Sequence, residues 1–245
     1  MTLEQHFERS GAWLFRWRGW LPVLLFALVI AGLNGFRYPD GSRSLNLLWS
    51  AACLALGLLG LAIRAWTVGH VPPRTSGRNT NEQVADTLNT TGMYSAVRHP
   101  LYLGNYLMWL SVALVPRSLW VPIVVTLVFW LYHERIIFAE EQFLKGKFGD
   151  EFLEWAARTP AFLPCFAHWV PARLPFSTRV ALRREHTGLL GLVVAINAVI
   201  VLGDRVVTGE WRLDPRCAAT IAAALAIYSI TYLLKKTTRL LHVAR

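Results

Sequence analysis

The feature that most limits how this chain can fold is a series of apolar runs separated by polar and basic segments. The runs are about 14 to 20 residues long, close to what an α-helix needs to cross the hydrocarbon core of a bilayer. A segment that faces lipid must satisfy its own backbone hydrogen bonds, and these runs are too continuously apolar for the strands of a porin. The sequence therefore predicts an all-α, polytopic membrane bundle and argues against a soluble globular domain.

We expect about six spans, near residues 20–36, 45–66, 101–115, 119–132, 187–202 and 217–234. The fourth helix should continue beyond the membrane through Glu140 and Glu141 towards residue 149, because no helix breaker comes before Gly146. This pattern divides the chain into an N-terminal lead with a first hairpin (1–68), a core with a polar loop, a short hairpin and a cytoplasmic helix (69–185), and a terminal hairpin (186–245).

Residues 1–19 form a basic, aromatic-rich lead that could lie as an amphipathic helix in the membrane interface. A simple flank of the first anchor is the interpretation we favour. Arg16 and Arg18 precede an apolar run, as in a signal peptide, but no small-x-small cleavage pattern follows. The run is therefore expected to remain as an anchor helix.

The formal net charge of +10 could suggest a nucleic-acid partner, but the basic residues lie between the apolar runs and not along one face. Sorting them by the predicted spans leaves most of the 25 Lys and Arg residues on one side. The other side receives only Arg37, Arg43, Arg117, Arg205, Arg212 and Arg216. By the positive-inside rule, both termini and the loop around residue 98 are predicted to be cytoplasmic. The membrane itself is expected to be a bacterial inner membrane.

Cys53, Cys165 and Cys217 are widely spaced and lie in mostly apolar surroundings. Their number and spacing indicate neither a disulfide framework nor a metal site. We expect all three to fill the core.

Polar chemistry is concentrated at both ends of the short hairpin. Arg98 and His99 come where an aqueous loop enters a helix, and Pro100 at the helix start leaves N–H groups that favour anions or carbonyl groups. Gly104 removes a side chain where a ligand or a neighbouring helix could approach closely. Taken singly, Arg98 could be a snorkelling anchor and His99 a satisfied interface residue.

The other half of this constellation consists of tyrosines and carboxylates. Tyr94 and Tyr102 flank the loop and could face a cation. Glu140 and Glu141 could hold an ammonium group or a ribose hydroxyl, although such a pair alone is more often a solvated face. The combination predicts a site for a ligand with cationic and anionic parts.

Over about residues 79–164 the chain resembles the isoprenylcysteine carboxyl methyltransferase and phospholipid methyltransferase superfamily of integral-membrane enzymes. The motifs that carry the resemblance are Thr87-Leu88, Thr91-Gly92-x-Tyr94, Arg98-His99-Pro100-x-Tyr102-x-Gly104, Glu140-Glu141-x-x-Leu144, and Phe148-Gly149-x-x-Phe152-x-x-Trp155 followed by Pro160 and Pro164. Departures are Phe152 and Trp155, where Tyr is usual, and the terminal hairpin, which has no match.

The resemblance implies that S-adenosylmethionine is bound at the cytoplasmic face, between the loop and the helix after the hairpin. The residues that it assigns to the cofactor are Thr87, Leu88, Tyr94, His99, Pro100, Tyr102, Gly104, Glu140 and Glu141. Sterol reductases of the wider superfamily share the Arg98 to Gly104 motif but bind NADPH. A carboxylate pair suits a cationic sulfonium better than a phosphate-rich dinucleotide, so the methyltransferase is favoured.

Arg74, Arg78, Arg98 and Arg135 lie near the predicted site and suit an anionic head group. The expected reaction is therefore O-methylation of an anionic lipid head group at a phosphate oxygen. Arg78, Arg98 and Arg135 are expected to orient this lipid, and no general base is required. Residues 75–79 and 87–92 resemble enzymes that methylate the 1-phosphate of lipid A. Carboxyl methylation of prenylcysteine, N-methylation of phosphatidylethanolamine and a non-catalytic membrane scaffold remain alternatives.

Overall fold

In the computed structural model of the protein, the described residues are 2–17, 19, 21–72, 75, 85–238 and 240–241. Within those ranges every regular element is helical, which confirms the predicted class. In chain order the elements are α1 (Leu3–Trp17), α2 (Leu21–Ala31), a 3-10 turn (Pro39–Gly41), α3 (Arg43–Gly69), α4 (Met93–Ala96), α5 (Pro100–Leu114), α6 (Trp120–Phe148), α7 (Asp150–Arg158), α8 (Thr178–Thr208) and α9 (Pro215–Thr237).

Four of the described helices, α3, α6, α8 and α9, are long and apolar enough to cross a membrane. The expected count of about six spans is therefore not confirmed. With 11 and 15 residues, α2 and α5 are only about 16 and 22 Å long at 1.5 Å per residue, shorter than a hydrocarbon core of about 30 Å. A turn follows α2 at once, while Pro100 begins α5 and Pro116 lies two residues after its last residue, Leu114.

Helix α3 is the centre of the bundle and packs most extensively against α5 and then against α8. The apolar core between the helices contains Val29 of α2, Val112 of α5, Val121 of α6 and Ile196 of α8, all nearly inaccessible to solvent. A side chain at Gly104 would meet the Cγ of Arg64 at 2.5 Å and the carbonyl oxygen of Gly60 at 2.6 Å. The close approach of α3 and α5 therefore requires glycine at this crossing.

The N-terminal lead is a helix that packs along α6, which corrects the expectation of a simple anchor flank. The Phe7 ring lies 5.8 Å from the Phe138 ring. Farther along the same contact, the Tyr132 hydroxyl donates a hydrogen bond of 3.1 Å to the carbonyl of Leu14. An amphipathic helix buries its apolar face against a neighbour where one is available, and α6 extends far enough beyond its apolar part to provide that neighbour.

Helix α6 continues to Phe148, as predicted, and carries Glu140 and Glu141 with it. Gly149 follows with φ +53° and ψ −124°, a positive-φ conformation that glycine adopts readily and that lets the chain turn into α7. Helix α8 begins at Thr178, earlier than the predicted residue 187, because the Ser177 side chain accepts a hydrogen bond from the amide of Val180 and caps it.

The cysteine prediction is right for two residues and wrong for the third. Cys53 and Cys217 are buried, whereas Cys165 is exposed. Cys165 lies in the segment between α7 and α8, where no regular element covers it.

Candidate active site

Two helices meet at the candidate site with their polar ends side by side. Helix α5 begins at Pro100, with His99 just before it, as the sequence predicts. The extension of α6 passes this point with Glu140 and Glu141, and the two helices are in direct contact. The loop and the acidic pair, about 40 residues apart in the chain, are thereby brought together.

Glu141 is bound by both members of the Arg98-His99 pair. Its Oε1 atom accepts a hydrogen bond of 2.8 Å from the Nε of Arg98 and lies 3.0 Å from the Nε2 of His99. Charge-assisted bonds of this kind are shorter and stronger than neutral ones. Glu141 therefore has a fixed position at the start of α5.

Glu140 is held from the other side. The Tyr102 hydroxyl donates a hydrogen bond of 2.7 Å to its Oε1, and its Oε2 lies 3.6 Å from the Nδ1 of His99. His99 consequently stands between the two carboxylates, one near each ring nitrogen. The side chains of Glu140 and Glu141 keep exposures of 22% and 24%, so both remain accessible from outside the cluster.

The charge of His99 follows from its neighbours. Burial alone would lower the pKa of the imidazole, but the hydrogen-bonded carboxylates of Glu140 and Glu141 outweigh burial and raise the pKa above its ordinary value. A protonated His99 with Arg98 supplies two cations against two carboxylates. The cluster is thus close to electrically balanced.

A buried aromatic stack lies beneath this cluster. The His133 ring packs face to face on Phe129 at 3.7 Å and edge-on against Tyr102 at 4.9 Å. His133 is 5% exposed, and its Nδ1 lies 2.9 Å from the Phe129 carbonyl. The sequence places His133 in the polar stretch around the hairpin, but no role in the site was predicted for it. The signal that could have found it is its spacing of seven residues, two helical turns, before Glu140.

Hydrogen bonds to α7 and to the residues just after it hold the loop around Arg98 in place. The Nη1 of Arg98 donates to the carbonyls of Ala156 at 2.8 Å and Thr159 at 3.0 Å, and its backbone amide donates to the carbonyl of Pro160. Nearby, the buried Trp155 donates its indole N–H to the carbonyl of Tyr94 at 2.9 Å. Trp155, noted in the sequence only as a departure from Tyr, therefore fixes the turn that carries Tyr94.

The remaining predicted residues lie in different surroundings. Thr87 is exposed and Leu88 half-buried in the stretch before α4, and within the described part of the chain the hydrogen bonds of the cluster do not extend to either. Gly104 faces Gly60 and Arg64 of α3, so the close approach that it permits is that of a neighbouring helix. Arg64 itself binds Glu185 of α8 at 2.8 Å.

Of the three arginines predicted to orient the acceptor, the structure describes Arg98 and Arg135, and these two have different partners. Arg98 is engaged with Glu141 and with carbonyl groups around α7. The Arg135 guanidinium lies over the Phe7 ring at 5.3 Å, on the face of α6 that packs against α1. Arg78, like Arg74, falls outside the described residues.

No group of three or more His, Cys, Asp or Glu side chains that could hold a metal ion occurs within the described ranges. The chemistry of the cluster is instead that of two accessible carboxylates beside tyrosine rings and an aromatic stack. The carboxylate oxygens can accept hydrogen bonds from an ammonium group or from sugar hydroxyls. The amino acid and the ribose of S-adenosylmethionine carry these groups, so the residues fit that cofactor.

Comparison with known proteins points in the same direction. Residues 52–151, which include Arg98 to Glu141, match the family model described as phospholipid methyltransferase. No solved structure matches the chain significantly.

The curated relatives of the chain include two metal resistance proteins and a methyltransferase. The cobalt-zinc-cadmium resistance protein CzcN of Cupriavidus metallidurans is 38% identical over 150 residues, which cover 59% of this chain and 62% of that protein. The nickel-cobalt-cadmium resistance protein NccN of Alcaligenes xylosoxydans xylosoxydans is 30% identical over 199 residues, which cover 75% of this chain and 80% of that protein. A protein-S-isoprenylcysteine O-methyltransferase of Schizosaccharomyces pombe is 29% identical over 164 residues, which cover 62% of this chain and 66% of that protein.

Proposed function

Because the chain belongs to the isoprenylcysteine carboxyl methyltransferase and phospholipid methyltransferase superfamily, we propose that it transfers a methyl group from S-adenosylmethionine to an anionic oxygen on a membrane amphiphile. The observation that carries the proposal is the pair of accessible carboxylates, Glu140 and Glu141, held by Tyr102, His99 and Arg98. The carboxylate oxygens are thereby held in place to accept hydrogen bonds from the ammonium and hydroxyl groups of a ligand at the end of the membrane bundle.

The chain's own residues would bind, orient and shield. Glu140 and Glu141 would accept hydrogen bonds from the amino acid or ribose part of the cofactor, and the ring of Tyr102 would lie against its charge. The buried stack of Phe129 and His133 keeps one side of the site dry. When bound, S-adenosylmethionine supplies a methyl group that its positive sulfur has already activated. The enzyme then mainly needs to position the two reactants.

An anionic oxygen acceptor requires no general base, which agrees with a site whose histidine is held between carboxylates. Arg98 and Arg135 both have structural partners, so neither of them favours phosphate over another anionic oxygen. A lipid phosphate, as in lipid A, and the carboxylate of a prenylcysteine share the chemistry that we propose. The yeast relative's name supports the carboxylate.

The cofactor assignment can be tested by calorimetry on the purified full chain. We expect Glu140→Ala and His99→Ala to abolish binding of S-adenosylmethionine, while Glu134→Ala, an exposed carboxylate on the same helix, leaves it unchanged. Unchanged affinity in both site variants would refute the assignment. Binding of NADPH instead would favour a reductase, and binding of neither ligand would favour a scaffold.

The acceptor can be identified with methyl-labelled cofactor and the protein in lipid nanodiscs. Separate reactions would contain lipid A, a synthetic farnesylcysteine or phosphatidylethanolamine, followed by mass spectrometry. A one-methyl shift on phosphate or on carboxylate selects between the two anionic sources. Methylation of the ethanolamine amine alone would contradict an anionic oxygen acceptor.

A further inference from the structure

The segment between α7 and α8, residues 159–177, which we call the strap, has an unusual surface. It contains no regular secondary structure, and residues 163–171 are all exposed. Four large apolar side chains stand among them, Leu163, Phe166, Trp169 and Val170, with exposures of 76%, 60%, 40% and 46%. Exposed apolar groups clustered in this way mark an interaction surface.

The strap is nevertheless firmly attached to the molecule. The amide of Cys165 donates to the carbonyl of Ala96 at 2.9 Å, and the amide of Gly92 donates to the carbonyl of Val170 at 2.8 Å. Ser95 also accepts a hydrogen bond of 3.0 Å from the amide of Val170. The backbone of the strap is thus fixed along α4, so its apolar side chains are held outward.

Both ends of the strap join surfaces of the membrane-crossing helices. Phe162 packs edge-on against Trp130 at 5.2 Å, and Trp130 is half-exposed on α6. Phe176 stacks on Trp66 at 5.6 Å, and Trp66 is half-exposed near the end of α3. An exposed Trp near the end of the apolar part of a spanning helix lies at the boundary between lipid and water, so the apolar surface of the strap continues that boundary at both ends.

The charge around the strap is of one sign. From residue 155 to residue 184 the sequence contains no Asp or Glu, and its charged residues are Arg158, Arg173, Arg179, Arg183 and Arg184. Aromatic side chains beside arginines are the composition of segments that lie in the membrane interface and bind anionic lipid. Another protein could also cover an apolar patch, but it would not explain the continuity with the spanning helices.

We propose that the strap lies in the bilayer interface, with Leu163, Phe166, Trp169 and Val170 inserted among the lipids and the neighbouring arginines on anionic head groups. Since the strap also carries the hydrogen bonds of Gly92, Ser95 and Ala96, membrane contact fixes the height of the α4 turn above the bilayer. Under the proposed function, this contact would bring an acceptor head group level with the site.

The exposed Cys165 provides the probe. Cys53 and Cys217 are 3% and 4% exposed, so an environment-sensitive NBD dye should react with Cys165 in the full chain. The labelled protein is placed in nanodiscs of phosphatidylcholine with phosphatidylglycerol. We expect a blue-shifted emission, strong quenching by lipids with a nitroxide in the upper acyl chain, and weak quenching by aqueous iodide.

The matched control is the Cys165→Ser, Glu151→Cys double variant, which moves the dye to an exposed position at the start of α7. Its dye should be quenched by iodide and not by the nitroxide lipid. In a second arm, Arg173→Gln should reduce the difference in nitroxide quenching between nanodiscs with and without phosphatidylglycerol.

Iodide quenching of the Cys165 dye equal to that of the control, with no effect of the nitroxide lipids, would overturn the proposal. So would protection that appears only at high protein concentration, because a second copy would then cover the strap. None of these readouts depends on methyl transfer, so a failure of the proposed function would leave this test intact.

Discussion

The contact between Gly60 and Gly104 yields the sharpest prediction, because it separates helix packing from cofactor binding. In Gly104→Ala, the new methyl group would lie 2.5 Å from the Cγ of Arg64 and 2.6 Å from the carbonyl oxygen of Gly60. Backbone cannot yield as a flexible side chain can, and overpacking of this kind costs about 1 to 3 kcal/mol. Alanine recovers up to about 1 kcal/mol through its better helix propensity.

After the full helix-propensity gain, the net loss expected for Gly104→Ala is therefore up to about 2 kcal/mol, or a fall of up to roughly 8 °C in Tm for a chain of this size. The assay is thermal unfolding in detergent, followed by loss of the monodisperse peak in size-exclusion chromatography. Affinity for S-adenosylmethionine is measured on the same samples by calorimetry at low temperature, where the variant is still folded.

Two companion variants make the test specific. Gly60→Ala should produce a similar fall in Tm, because its methyl group would lie 2.5 Å from the carbonyl oxygen of Gly104. Gly191→Ala on α8 is the matched control, since no atom lies within 4 Å of the added group, and its Tm should stay equal or rise.

If Gly104→Ala lost cofactor affinity at an unchanged Tm while Gly60→Ala had no effect, the packing argument would be wrong. Gly104 would then contact the cofactor, as the family resemblance implies.

Three further outcomes are expected at the candidate site. Trp155→Phe removes the hydrogen-bond donor to the Tyr94 carbonyl and should lower the free energy of unfolding by about 1 to 3 kcal/mol, which is measured as a lower Tm. An unchanged Tm would contradict a stabilising role for this hydrogen bond. In Arg98→Lys, the single ammonium group cannot bind Glu141 and two carbonyls at once, so the free energy of unfolding should fall by about 2 kcal/mol. A Tm equal to that of the parent would contradict a need for the branched guanidinium group. Folding raises the pKa of His99, so the stability that this group contributes is fully present below its ordinary pKa and is lost as pH rises through the folded pKa. The Tm difference between the parent and His99→Gln should therefore shrink from pH 6 to pH 9. A constant difference would contradict a protonated His99 paired with carboxylates.

Much of the fold could be predicted from the sequence because the signals are local. The apolar runs predicted the long helices, and Pro100 predicted the start of α5. The absence of a breaker before Gly146 correctly predicted the extension of α6. Such features depend on hydrogen bonds and side chains within a few residues, so they survive without knowledge of the tertiary contacts.

The helix boundaries and neighbours were harder to predict. The sequence alone did not show that α2 ends at Ala31 or that the N-terminal lead packs on α6, whereas the shortness of α5 was expected. Exposed Cys165 and buried Cys53 both have mostly apolar neighbours in the sequence, yet none of the described helices covers Cys165. Burial depends on which elements pack together, and hydropathy does not encode that.

The sequence by itself determined which residue types are available for the candidate site: two carboxylates, a histidine and tyrosine, and the glycine of α5. Only the tertiary structure decided their pairing, with Glu140 bound to Tyr102, Glu141 bound to Arg98 and His99, and Gly104 turned towards α3. It also engaged Arg98 with α7 and turned Arg135 towards α1. These contacts join residues dozens of positions apart, and their geometry is set by how the helices pack, which periodicity along one helix cannot specify.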